Sequence, residues 1–179
     1  MDAIISNTSG CGTTLKDYEF IFRSDNDFKK KAKKISELTK DISEYLDENV
    51  KLNFVTNKND KTYKIAYHSA CSMQHGQKLH QESIDLIKKT GNEVMEIPEG
   101  HICCGSAGTY NLLQSDIAKS LLKNKIFNIK KIKPEIISTG NIGCITQISR
   151  GTKIPILHTV EIIDWYTGGP KPKVLEKLL

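Results

Sequence analysis

The chain has 179 residues, 38% of them apolar, and its 26 Lys and Arg against 21 Asp and Glu leave a formal net charge of +5. That is about one domain, or one domain and a fragment, with enough apolar side chains for a buried core, so disorder and a collagen-like repeat are excluded. No run approaches the ~18–20 consecutive apolar residues of a membrane-spanning helix, and Arg23 and Arg150 are the only Arg residues, the Lys being spread over helical faces, which argues against a nucleic-acid surface.

In chain order, Ala3 to Ser6 reads as a short buried strand running into a turn-forming loop, Asn7-Thr8-Ser9-Gly10-Cys11-Gly12. Asp25-Asn26-Asp27 offers N-cap chemistry for a helix with apolar residues at Phe28, Ala32, Ile35, Leu38, Ile42, Tyr45 and Leu46. Thr56 to Thr62 is polar and turn-rich and reads as a linker. Beyond it the pattern alternates, with strands expected at Tyr63–Tyr67, Glu93–Ile97, Ile136–Thr139 and Ile154–Leu157. Helices are expected from Gly76 to Thr90, from Asn111 to Ile132 with Leu113, Ile117, Leu121, Ile126 and Ile129 inward, after Cys144, and from Val160 to Trp165. This alternation predicts an α/β fold with an open, mainly parallel sheet and flanking helices.

Five Cys are present: Cys11, Cys71, Cys103, Cys104 and Cys144. The first ten residues, MDAIISNTSG, lack the charge-then-apolar pattern of a secretory signal, so a reducing cytosolic setting is the expectation, and there an odd cysteine count points to ligation or catalysis ahead of disulfides. Cys71, the Cys103-Cys104 pair and Cys144 each fall a few residues beyond a predicted strand. In a parallel sheet such loops emerge on one carboxyl edge, so three remote loops are expected to bring four thiols together. A vicinal pair converges on one centre only where the chain turns sharply, which Gly105 permits by taking φ > 0. Gly143 is expected to let backbone N–H groups approach a sulfur. Four soft thiolates suit Zn or an iron–sulfur cluster and do not suit Mg or Ca.

Thirty-one residues separate Cys71 from Cys103, and 38 lie between Gly105 and Cys144. With His75-Gly76-Gln77, Cys103-Cys104-Gly105-Ser106-Ala107-Gly108-Thr109-Tyr110 and Asn141-Ile142-Gly143-Cys144, this spacing resembles the cysteine-rich CCG domain, in particular that of glycolate oxidase iron–sulfur subunits, from about residue 2 to about residue 166. The pattern of that domain ends in Cys-x-x-Cys, and here Asn141 stands in place of the first of these. The resemblance implies an iron–sulfur electron-transfer subunit of an oxidoreductase that oxidises glycolate to glyoxylate, with Cys71, Cys103, Cys104 and Cys144 as ligands. Related heterodisulfide reductase subunits carry five Cys per motif and a noncubane cluster; with four, [4Fe-4S] is the simplest expectation, and Zn is the alternative because some CCG domains bind it. The implied partners are flavin-containing glycolate oxidase subunits, which carry out substrate oxidation, and the rest of the iron–sulfur subunit. The chain alone is not expected to be catalytic. The implied location is cytoplasmic, with peripheral association at the inner face of a bacterial inner membrane through the complex. Lactate-utilisation and glycerol-3-phosphate dehydrogenase iron–sulfur subunits resemble it as well. The rival expectation is a structural zinc- or metal-binding CCG module with no electron-transfer role.

Shifted by 133 residues, Gly143-Cys144-Ile145-Thr146 falls on Gly10-Cys11-Gly12-Thr13, with Glu135 on Asp2, Ile137 on Ile4 and Asn141 on Thr8. Cys11 therefore reads as the last metal ligand of an earlier repeat, without its partners in this chain. Residues 1–58 are expected to be the end of a first CCG repeat and residues 59–179 a complete second one with a tail, the whole resembling the C-terminal part of a longer protein. His75 and His101 flank the Cys loops and are expected to support the site from outside the ligand set. His80 and His158 read as ordinary surface or helix residues, and Tyr110 and Trp165 as packing aromatics. A nucleophilic hydrolase is disfavoured, since neither Gly-x-Ser-x-Gly nor a Gly-rich phosphate loop occurs.

Overall fold

A computed structural model describes residues 2–55 and 61–178. Most of the expected linker, and the expected boundary between residues 58 and 59, lie outside the described residues. Four strands, β3 (Lys64–Tyr67), β4 (Glu93–Glu96), β5 (Ile136–Thr139) and β6 (Ile156–His158), form a sheet in the order β4-β3-β5-β6 with every pairing parallel. A separate parallel pair joins β1 (Ile4–Ser6) to β2 (Thr39–Asp41). The expected α/β architecture with parallel sheets is the one found.

Alternation along β3 sorts side chains onto two faces, as the pleat requires. Ala66 packs with Ile137, Ile126, Ile129, Ile148, Cys104 and Cys144 on one side. Ile65 and Tyr67 pack with Ile84, Ile87, Ile136, Leu157 and Ile162 on the other. Helices α7 (Ser115–Lys131) and α8 (Ile142–Ser149) cover the first face, and α5 (Gln81–Lys89) and α9 (Thr159–Tyr166) the second. A fully buried side chain such as Ile129 contributes about 1.5–3 kcal/mol relative to exposure.

Several expected elements change. The single helix foreseen from Phe28 to Leu46 is α3 (Lys29–Leu38), then β2, then α4 (Ile42–Asn49). Thr39 Oγ1 donates to the Ile35 carbonyl at 2.7 Å where α3 ends, and the Asp41 carboxylate accepts from Ser43 N–H at 2.9 Å while Glu44 accepts from Asp41 N–H, a capping box that starts α4. The three residues between then pair with β1. The Asn7–Gly12 segment is not all loop: α1 spans Ser9–Lys16 and contains Cys11, and a short α2 (Tyr18–Ile21) follows. The helix placed from Gly76 begins at Gln81, after a π-helical turn over Ser72–Gln77. Gln114 leaves helical geometry (φ −123°, ψ 56°) and separates α6 (Tyr110–Leu113) from α7. Leu113 and Ile117, expected inward, are 77% and 50% exposed; Ile126 and Ile129 are buried as expected, and α7 buries Ala118 and Lys125 with them.

Candidate metal centre

β4 lies on one side of β3 and β5 on the other, so the chain reverses its direction of travel across the sheet between β3 and β5. At such a switch point the loops leaving the strand ends diverge and open a crevice. Cys71 follows β3, Cys103 and Cys104 follow β4, and Cys144 follows β5. All four line one cavity of about 540 Å³, and so does Cys11. The structure thus brings all five cysteines to one space.

Cys104 and Cys144 are buried with their sulfurs 3.4 Å apart. Cys103 is half-buried and Cys71 exposed at the mouth. Hydrogen bonds from the Cys104 and Cys71 thiols pull the pKa of Cys103 well below the ordinary thiol value. Cys71 and Cys104 are pushed up in return, each first by its hydrogen bond to Cys103. Cys144 falls to about 5, chiefly through the hydrogen bond from Cys104. Thiolate is the metal-binding form, and this row of sulfurs already holds two positions close to it.

Gly105 turns the chain at the vicinal pair as its sequence position implied. Its φ is +90°, and a Cβ there would collide with the Ala118 carbonyl oxygen of α7. Its N–H donates to Cys103 Sγ at 3.3 Å. Backbone hydrogen bonds from Ser106 and Ser72 favour the thiolates of Cys104 and Cys71. Among these recorded N–H···S contacts Gly143 does not figure; its place is steric, since a Cβ there would stand 2.7 Å from Ser106 Oγ.

Asn141, at the position of the replaced cysteine, is the N-cap of α8. Its Oδ1 accepts from Cys144 N–H at 3.2 Å and its Nδ2 donates to Ser9 Oγ at 2.8 Å. Ser9 Oγ in turn lies 2.7 Å from Ser72 Oγ, next to Cys71, and its carbonyl accepts from Gln77 Nε2 at 2.9 Å. This polar chain ties α1 to two of the cysteine loops.

Two functional side chains escaped the sequence reading. His68, immediately after β3, is 2% exposed, and one ring nitrogen and the Cys104 and Cys144 sulfurs lie within 4.8 Å of one another. The period-2 pattern of β3 was the available signal, because His68 follows Ala66 on the face that packs against Cys104 and Cys144. Lys125 is 1% exposed, and its Nζ donates to the Glu99 and Gly100 carbonyls at 3.2 and 3.4 Å. Burial lowers its pKa while the charges of Cys104, Cys103 and Cys144 hold it up, so it supplies positive charge beside the thiolates. His75 and His101 are exposed and line no part of the five-cysteine cavity. His158 caps α9, its Nδ1 accepting from Val160 N–H at 3.1 Å and its Nε2 lying 2.7 Å from the Asn7 carbonyl oxygen. Tyr110 is 38% exposed, whereas Trp165 packs between Tyr63 and Tyr166.

The donor set is thiolate with one buried imidazole, which suits Zn or iron–sulfur chemistry and excludes hard, oxygen-seeking cations. A parallel α/β unit whose strand-end loops carry a Cys, a Cys-Cys-Gly and a further Cys into one cavity defines a cysteine-rich metal-binding domain. Residues 65–149 match the model of the cysteine-rich domain family CCG. Over 163 residues, 91% of this chain, it is 37% identical to the glycolate oxidase iron–sulfur subunit of Escherichia coli (strain K12), of which it spans 39%. It is 29% identical over 173 residues to the probable glycolate oxidase iron–sulfur subunit of Bacillus subtilis (strain 168), spanning 38% of it. Lactate utilization protein A of Geobacillus sp. (strain WCH70) is 24% identical over 169 residues, with 70% of its length covered. The chain therefore spans about two-fifths of the glycolate oxidase relatives. Among the described residues, no helix is long and apolar enough to cross a membrane.

Proposed function

We propose that this chain is the part of an oxidoreductase iron–sulfur subunit that carries one electron-transfer centre, a [4Fe-4S] cluster held by Cys71, Cys103, Cys104 and Cys144. The convergence of these four thiols from three strand-end loops into one cavity carries the reading. Such a cluster supplies reversible one-electron chemistry, with a potential set by net charge, hydrogen bonds to sulfur and exposure. The protein's share is to hold four thiolates in register, to place the Lys125 cation beside them, to donate Gly105 N–H to Cys103 and to bury Cys104 and Cys144 away from water. Glycolate is the substrate we assign to the whole complex, oxidised to glyoxylate on flavin-containing partner subunits, with the rest of the iron–sulfur subunit completing the electron path. We place that complex in the cytoplasm, at the inner face of the membrane. The similarity to two glycolate oxidase iron–sulfur subunits supports the assignment.

Cys11 stands outside this ligand set. It is the third residue of α1 as Cys144 is the third of α8, each helix following a parallel strand across two residues. That correspondence supports its reading as the last metal ligand of a preceding repeat, with residues 1–58 the end of that repeat and 59–179 the complete one.

Anaerobic purification and reconstitution with iron and sulfide tests the function. The expected product is brown, absorbs broadly near ~400 nm and bleaches with dithionite. Cys104→Ser is expected to abolish iron binding and Cys11→Ser to leave it nearly unchanged; retained iron in the Cys104 variant overturns the ligand set. A structural zinc centre is the second reading, favoured by the His68, Cys104 and Cys144 donor atoms lying within 4.8 Å of one another, the compactness of a single-ion site. Colourless protein that keeps stoichiometric Zn through reconstitution decides for it.

A further inference from the structure

We infer that His68 is a metal-ligating residue, one of its imidazole nitrogens sharing an ion with the sulfurs of Cys104 and Cys144. The inference deepens the single-ion reading of the cavity, since one ion, unlike a [4Fe-4S] cluster in which each iron takes one protein ligand, can hold two of these sulfurs and a ring nitrogen together.

The backbone directs this side chain inward. His68 N–H donates to the Ser138 carbonyl of β5 at 2.8 Å, so the residue continues the β3–β5 pairing beyond the strand's last residue. By the pleat it takes the side of Ala66, whose packing cluster holds Cys104 and Cys144. The ring is buried, neither nitrogen has a hydrogen bond at normal geometry, and the group it interacts with is Cys144, whose thiolate its looser hydrogen bond and charge help to favour.

A structural core histidine does not usually stand this way. Leaving a buried donor or acceptor unmet costs about 1–3 kcal/mol per group, and a histidine serving only to pack finds a backbone carbonyl or a hydroxyl. Ser69 and Tyr67 hydroxyls are adjacent in sequence, yet they too are without a hydrogen bond at normal geometry. The imidazole faces two sulfurs instead, those of Cys104 and Cys144. In a tetrahedral site with metal–sulfur bonds of about 2.3 Å and metal–nitrogen bonds of about 2.0–2.1 Å, donor atoms stand roughly 3.5–3.8 Å apart. The Cys104–Cys144 sulfur separation of 3.4 Å is close to such an edge, and a ring nitrogen of His68 lies within 4.8 Å of both sulfurs. Met73 and Ile129 pack in the same cluster, and His68 is buried beside them.

A neutral imidazole brings no negative charge, whereas a thiolate brings one. His68 therefore leaves the ion it shares with Cys104 and Cys144 less negatively charged than a site of thiolates alone.

The test uses the full chain, stripped of metal under anaerobic conditions and titrated with Co²⁺ alone. X-ray absorption at the cobalt edge is expected to show sulfur together with an imidazole nitrogen. His68→Ala is expected to lose the nitrogen and at least about 10-fold in Co²⁺ affinity, while His75→Ala and His101→Ala keep both. Wild-type protein loaded with ¹¹³Cd provides a reading that needs no variant: coupling between the cadmium nucleus and the His68 ring protons is expected. An all-sulfur cobalt shell, or bound cadmium without that coupling, overturns the assignment. Cobalt and cadmium report donor atoms whichever metal is native. A failed His68 result thus leaves the iron–sulfur reading standing, and a colourless iron reconstitution leaves His68 standing.

Discussion

Asn141 Nδ2 donates to Ser9 Oγ at 2.8 Å, across 132 positions of sequence, while Asn141 Oδ1 accepts from the N–H of Cys144. One side chain therefore caps the helix that presents Cys144 and anchors the helix that presents Cys11. The position that lacks a cysteine is the joint between α8 and α1: an amide has both a donor and an acceptor, which a thiolate lacks.

Removing that joint should cost stability in two separable parts. Asn141→Ala is expected to lose about 1–2 kcal/mol in denaturant unfolding of the metal-free chain, the usual range for a lost N-cap. Asn141→Ser restores a cap acceptor but is too short to reach Ser9, so it should recover only part of the loss. Equal stability of Asn141→Ala and the parent would show that the cap contributes nothing.

Gly105 makes the vicinal cysteine pair possible, and no other residue fits it. Gly105→Ala meets both a positive φ and the Ala118 carbonyl, so a loss on the order of 2–4 kcal/mol is expected, with weaker metal uptake because Cys103 and Cys104 lose their relative placement. Denaturation midpoints and metal content measured on one preparation check both. A variant as stable as the parent and fully loaded refutes the assigned role.

Lys125→Met removes the cation buried beside the thiolates and nearly preserves volume. In the metal-free chain the thiolates of Cys103 and Cys144 should become harder to form, visible as reduced ultraviolet thiolate absorbance at neutral pH and slower alkylation. In the iron-loaded chain the potential should fall, because added electron density is no longer offset by a nearby positive charge. An unchanged potential would falsify the electrostatic role.

Tyr67 sits under the sheet with its phenol buried, and burial is the main reason its pKa is pushed up to about 12. Unfolded, the phenol ionises near the ordinary value of 10.0. Between those values the native state keeps a proton that the unfolded state has released, so stability is intact below pH 10 and declines as pH rises towards 12. A shift of two units amounts to about 2.7 kcal/mol at the upper end. Tyr67→Phe should flatten the stability profile over that interval. A steep decline retained in the variant assigns it to another group.

Much of the architecture was legible from the chain alone, and the reason is local. Each cysteine group lies a few residues past an apolar run short enough to be a buried strand, and parallel pairing sends all such loops to one edge. That logic placed Cys71, Cys103, Cys104 and Cys144 together, and Gly105 at the turn between them. Where it failed, the deciding partner was distant. β2 is three residues long, too short for a period-2 signal, and it exists because β1 pairs with it; the apolar spacing from Phe28 to Leu46 continued across it and read as one helix. Leu113 and Ile117 kept helical spacing, but the break at Gln114 separates α6 from α7, and Ala118 and Lys125 join the expected Ile126 and Ile129 in the core.

The cysteine register, the parallel sheet and the soft-metal character of the site were thus determined by sequence, because strand periodicity and thiol chemistry are properties of the residues themselves. The tertiary structure decided that Cys11 opens into the same cavity, that Asn141 joins α8 to α1, and that His68 and Lys125 are buried near the Cys104 and Cys144 sulfurs. A buried imidazole or ammonium takes its meaning from what lies across the interior. Only the packing of α7 and α8 against the end of β3 brings the sulfurs there.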